Sequence, residues 1–128
     1  MERHVVSTSA APAAIGPYSQ AIFAQGKFFF ISGQIGMKPD GSMAGDSVEE
    51  QTRQIIMNLR AILLAGGLDP GDLVKTTIYL TDMAHFAAVN EIYSEMVGGE
   101  PPARATVQVS GLPKGALVEI EAIAIARV

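Results

Sequence analysis

A capping box at Ser47-Val48-Glu49-Glu50, followed by Val48, Thr52, Ile55, Leu59 and Ile62 at steps of four and three, predicts one long amphipathic helix in this chain. A hydroxyl at the N-cap and a carboxylate at N3 can satisfy backbone N–H groups that a helix start leaves without partners, and Gly66-Gly67 supplies the stop. A helix with one apolar stripe needs an apolar surface to lie on. The flanking segments can build it. Ala21 to Ala24 and Lys27 to Ser32 are short apolar and aromatic runs separated by Gln25-Gly26, which suits a hairpin. Leu73 to Thr81 is rich in β-branched and aromatic residues, and Arg104 to Val109 and Leu117 to Arg127 read as two further strands. Asp82 can cap a second helix that carries Phe86, Val89, Tyr93 and Met96 on one face and ends at Gly98-Gly99. The order ββ, helix, β, helix, ββ reads as one α+β domain over residues 1–128, with both helices on one face of a sheet.

Composition narrows the chemistry. The chain has no Cys, which excludes disulfides, thiolate zinc sites, iron–sulfur clusters and a cysteine nucleophile. His4 and His85 are its two histidines, too few for a three-histidine metal centre. Carboxylates, Arg, hydroxyls, backbone groups and water remain. Only 17% of residues are charged, against about 25% in an average soluble domain, so a second copy is expected to cover part of the surface. The net charge of −4 and the scattering of nine Lys and Arg residues disfavour a nucleic-acid partner. Met1 to Ser7 lacks the apolar stretch of a targeting signal, and the run Ala61 to Leu68 is far short of a membrane span of ~20 residues. The expectation is a cytoplasmic protein without a membrane partner.

The last two strands carry the most informative polar groups. Period-two alternation puts Arg104, Thr106 and Gln108 on one face of their strand. In the final strand, Glu119 and Glu121 share a face with Leu117, Ile123 and Ile125, where a carboxylate must be paired or neutralised if it is buried. The readings stand side by side: a carboxylate poised for acid–base work, an ordinary glutamate at a strand edge, or an Arg104–Glu salt bridge. Arg104 has the planar fork to grip a carboxylate or, following Pro-Pro, is a surface or interface residue; Tyr18 can line a pocket or merely pack, and Ser32-Gly33 can present a hydroxyl and close backbone N–H groups or simply turn the chain. Asn90 reads as a solvated or capping amide, His85 as a surface residue, and the six Met residues as core filler.

Taken together, six segments carry a resemblance over essentially the whole chain: A-P-A-A-I-G-P-Y-S-Q-A (Ala11 to Ala21), I-S-G-Q-I (Ile31 to Ile35), N-L-R-A-I-L-L-A-G-G (Asn58 to Gly67), V-K-T-T-I-Y-L-T-D-M (Val74 to Met83), P-P-A-R-A-T-V (Pro101 to Val107) and V-E-I-E-A-I-A (Val118 to Ala124). In this order they resemble the RidA branch of the Rid family of 2-iminobutanoate/2-iminopropanoate deaminases, a group also known by the older name L-PSP endoribonucleases. The resemblance implies a chorismate-mutase-like α+β fold with a mixed sheet, a homotrimer whose sheets form an inner barrel, and active sites in the clefts between subunits. It implies hydrolysis of reactive 2-imino or enamino acids to 2-oxo acids and ammonia, with no cofactor and no metal. By the same resemblance Arg104 binds the substrate carboxylate and Glu119 acts on the hydrolytic water. Tyr18, Ser32, Gly33 and Asn90 line the cleft, and Glu121 is structural. Many members carry Cys where this chain has Thr106; the family's use of the backbone carbonyl there implies that hydrolysis survives the change. An RNA endonuclease or translation inhibitor, and a non-catalytic trimer that binds a small carboxylate, are the alternatives.

Overall fold

Ser47 starts the first long helix as its sequence requires. In the computed structural model, which describes residues 3–127, Ser47 is extended (φ −90°, ψ 152°), and its Oγ accepts from Glu50 N while Glu50 Oε1 accepts from Ser47 N. Helix α1 runs Val48–Ala65 and ends where Gly66 N–H donates back to the Ile62 and Leu63 carbonyls. Along its inner face Thr52, Ile55, Leu59 and Leu63 are fully buried. Helix α2, Phe86–Val97, follows a single 3-10 turn at Met83–His85 whose N-cap is Asp82; it buries Val89, Ile92, Tyr93, Met96 and Val97.

Both helices pack on one face of a four-stranded mixed sheet. Its strands are β3 (Lys27–Gln34), β4 (Leu73–Leu80), β5 (Ala103–Gln108) and β6 (Val118–Ala126), in the order β3-β6-β4-β5. Strand β4 is parallel to β5, with α2 as the crossover between them, and antiparallel to β6. The helix-side row of Thr76, Ile78 and Leu80 on β4 and Val118, Ile120, Ala122 and Ala124 on β6 is buried. This is the α+β arrangement of two helices on one face of a sheet that the patterning predicts, and the sheet is mixed, as the resemblance implies.

Three expectations need correction. Strands β1 (Arg3–Val6) and β2 (Ala21–Ala24) form a separate two-stranded antiparallel sheet, so β2 does not pair with β3 as a hairpin. Gly26, at φ +142°, instead turns the chain out of one sheet and into the other, and a Cβ there would strike the end of β6. Strand β1 was absent from the predicted order. The methionines are not uniformly core: Met96 is buried, whereas Met57 and Met83 are exposed.

The opposite face of the sheet is open. It carries Phe28 and Phe30 of β3, 62% and 70% exposed, beside Ile123. A groove of about 290 Å³ on this face is lined by Phe30, Lys75, Thr77, Glu121 and Ile123. No described helix is long and apolar enough to cross a membrane.

Candidate active site

Pro101 and Pro102 have no N–H to give and offer only carbonyls. Ser19 takes both: its N–H donates to Pro102 O at 3.1 Å and its hydroxyl donates to Pro101 O. The Gly16-Pro17-Tyr18 loop is thereby fastened beside the start of β5. Gln20 anchors the loop's other limb, accepting from Thr8 N at its Oε1 and donating from Nε2 to the Pro12 carbonyl, each at 2.6 Å.

Arg104 lies where this loop, β5 and α2 meet. In the parallel register it sits next to Thr76, so its side chain projects to the helix side of the sheet. Its Nη1 donates to Asn90 Oδ1 on α2 at 2.6 Å, and its Cζ lies 5.4 Å from the Tyr18 ring, 5.8 Å from the Phe86 ring and 5.2 Å from the Tyr93 ring. These distances suit cation–π contact. Burial lowers the pKa of Arg104, and the Tyr93 and Tyr18 oxygens oppose that shift. The single ion pair among the described residues joins Arg127 to Asp72 at 3.3 Å, which excludes the expected alternative of an Arg104–Glu bridge within the chain. A half-buried guanidinium held by neutral groups is suited to receive an anion, and its fork matches a carboxylate. The reading of Asn90 as a solvated or capping amide is corrected by its bond to Arg104.

Tyr93 itself is fully buried and bonds Thr76 Oγ1 through its hydroxyl at 2.7 Å. Desolvation pushes its pKa up to about 12, against the bond from Thr76 and the charge of Arg104. Two residues along β5, the Thr106 hydroxyl is shut in with no hydrogen-bond partner among the described residues, as is Nδ1 of His85 at the start of α2. His85 is partly buried rather than a plain surface residue.

Glu119 belongs to the other face. It pairs in register with Tyr79, whose pKa is raised by desolvation and then by the Glu121 and Glu119 carboxylates. Glu119 is half-buried and Glu121 exposed, because this side of the sheet is not covered within the chain. Ser32 and Gly33 sit at an irregularity in the β3–β6 pairing, between Ile31 and Gln34. The missing side chain at Gly33 leaves the space that the Glu119 carboxylate occupies, since a Cβ there would run into Glu119 Oε2.

The seven sequence-predicted site residues thus form two groups. Arg104, Asn90, Tyr18 and Thr106 meet on the helix side at β5, while Glu119, Gly33 and Ser32 meet near β3 and β6. The single chain does not bring Arg104 and Glu119 together. Sequence reasoning missed Phe86, Tyr93 and Thr76 as neighbours of Arg104. Phe86 and Tyr93 were visible only as part of an apolar helix face, a signal that cannot report which strand that face meets.

Known proteins resemble this chain over nearly its whole length. The Endoribonuclease L-PSP family model matches residues 8–126, and the chain belongs to that family. It is 50% identical to the 2-iminobutanoate/2-iminopropanoate deaminase of Mus musculus over 96% of this chain and 91% of that protein. It is also 50% identical to a RutC family protein of Pyrococcus horikoshii, over 95% of this chain and 97% of that one. Among solved structures, E. coli TdcF with bound serine superposes with a TM-score of 0.73 at 41% identity, covering 96% of this chain and 98% of that chain.

Proposed function

We propose that this chain hydrolyses short 2-imino and enamino acids to 2-oxo acids and ammonia, in sites completed between copies of a homotrimer. The observation that carries the reading is Arg104: a cation caged by three aromatic rings, bonded to a neutral amide and lacking a carboxylate partner among the described residues. Arg104 grips the substrate carboxylate and so orients C2 toward a bound water. Glu119 takes a proton from that water as its oxygen adds to C2 of the protonated imine, which an enamino acid forms by protonation at C3, and the C=N pair moves onto nitrogen to give a neutral carbinolamine. The carboxyl then gives its proton to that nitrogen, and the C–N bond breaks with its electron pair leaving on ammonia. The hydroxyl O–H pair closes the C=O as its proton passes through the Glu119 carboxylate to the released ammonia. The backbone carbonyl of Thr106 helps place the water, a role that does not need the enclosed hydroxyl. Ser32, Gly33, Tyr18 and Asn90 line the cleft.

Assembly is supported by the exposed Phe28 and Phe30 and by the opposed faces of Arg104 and Glu119. The deaminase names of relatives near 50% identity support the chemistry. Such imines also hydrolyse spontaneously, so a site made from one Arg, one Glu and a water is chemically sufficient. The test couples a dehydratase that releases 2-iminobutanoate to semicarbazide trapping. Wild type should accelerate 2-oxobutanoate formation and Arg104→Ala should not; equal rates would overturn the proposal.

A second reading, a trimer that binds a small carboxylate without turnover, is favoured by the serine-bound relative. Glu119→Gln separates the two, because only in an enzyme does it remove turnover while 2-oxobutanoate still binds.

A further inference from the structure

Arg104 is held from beneath as well as from the side. Its neighbour in register on β4 is Thr76, and Thr76 Oγ1 is bonded to the Tyr93 hydroxyl at 2.7 Å, both residues being fully buried. The Tyr93 ring reaches back under the guanidinium, 5.2 Å from Cζ, while Asn90 Oδ1 takes Nη1 from the side. Thr76, Tyr93, Asn90 and Arg104 therefore form a continuous chain of contacts from the sheet interior to the candidate site.

We propose that the Thr76–Tyr93 pair is a positioning device for Arg104, fixing the plane of the guanidinium so that its remaining N–H edge faces the substrate carboxylate. The inference rests on the function proposed above, in which Arg104 grips that carboxylate. A long arginine side chain loses rotamer freedom when it binds, and fixing it beforehand reduces that cost. Asn90 restrains one nitrogen but leaves the plane free to turn about the bond it makes. The Tyr18, Phe86 and Tyr93 rings bound that plane, and of the three Tyr93 lies nearest, at 5.2 Å, and has its own orientation held by the buried bond to Thr76. Folding does not demand such a pair. Two hydroxyls buried in a core of Ile, Leu and Val can be replaced by apolar groups of the same shape at little cost, whereas removing one alone leaves its partner unpaired.

This asymmetry provides the experiment. Tyr93→Phe, Thr76→Val and the double variant are compared with wild type by calorimetric titration with 2-oxobutanoate, by 2-iminobutanoate kinetics and by thermal melting. Each single variant should weaken 2-oxobutanoate binding and raise KM about three- to tenfold, the net worth of roughly one hydrogen bond, while kcat changes less than about twofold. The double variant should recover the melting temperature of wild type but not its affinity, and Thr76→Ser, which keeps the hydroxyl but loses a buried methyl, should keep the affinity at a lowered melting temperature. Wild-type affinity in both single variants overturns the inference. So does affinity that follows the melting temperature and returns in the double variant, the pattern of a purely structural pair. Arg104→Ala is the separate control: if it binds 2-oxobutanoate as tightly as wild type, the reading of Arg104 itself fails.

Discussion

Arg104 and Glu119 project to opposite sides of one sheet, with strand β4 between them: Arg104 is the register neighbour of Thr76, Glu119 of Tyr79, and adjacent positions on β4 alternate faces. No side-chain rotation within a chain can bring them onto one substrate. If both act in the reaction, each site takes its arginine from one copy and its glutamate from another.

Mixing two inactive variants tests that division. Arg104→Ala and Glu119→Gln subunits, each inactive alone, should regain activity when unfolded together and refolded as mixed assemblies. Random assembly pairs an intact arginine with an intact glutamate at roughly a quarter of the interfaces, so about a quarter of wild-type kcat is expected. A mixture as inactive as its parents would place the whole site within one chain.

Gly33→Ala should damage catalysis without damaging the fold. A methyl group at this position would meet the far end of the Glu119 side chain, which can swing aside, and the glycine does not occupy the left-handed region. Stability should therefore stay within about 0.5 kcal/mol of wild type. Displacing the carboxylate from its water should cost kcat about 10- to 100-fold while 2-oxobutanoate binding holds. Denaturant unfolding and the coupled imine assay, run on the same preparation, check both halves.

Arg104→Lys is expected to behave as a loss rather than a conservative change. An ammonium keeps the charge but cannot both hold Asn90 Oδ1 in the plane of a fork and present two parallel N–H groups to a carboxylate. KM for 2-iminobutanoate should rise roughly 10- to 100-fold, the worth of a charge-assisted hydrogen bond. Steady-state kinetics showing an unchanged KM would assign carboxylate binding to another group.

The reach of the sequence ended where contacts became nonlocal. The Ser47 capping box, the Gly66 stop and the alternation in β6 are set by residues a few positions apart; the first two appear in the structure as patterned, and the alternation holds as far as Ala124, after which Ile125 is buried as well. Which face of β6 is covered could not be read the same way, because Leu117, Ile123 and Ile125 share the Glu119 side and the spacing left open whether that carboxylate is buried. The pairing of β2 with β1 rather than β3 was not legible, since either partner satisfies the alternation of Ala21 to Ala24. Likewise nothing local in Val89-Asn90-Glu91 announces an arginine 14 positions away, and Tyr93, read as core, is both core and wall of the Arg104 cage. A residue that serves packing and the site together carries only the packing signal in its spacing.

Burial of Tyr93 makes a prediction in alkaline solution. Its folded pKa of about 12 lies above the 10.0 of an unfolded tyrosine, so the neutral phenol is favoured in the fold. The stability it contributes is complete below pH 10 and is lost as pH rises from 10 toward 12. Between pH 9 and pH 11 wild type should lose about 1 kcal/mol more unfolding free energy than Tyr93→Phe, which has no group to ionise there. Tyr79 has a raised pKa as well, by desolvation first and then by Glu121, so some alkaline slope persists in the variant. Urea midpoints at the two pH values give the difference directly. Equal slopes would mean that the hydroxyl reaches water, and with it that the Thr76–Tyr93 bond beneath Arg104 opens in solution.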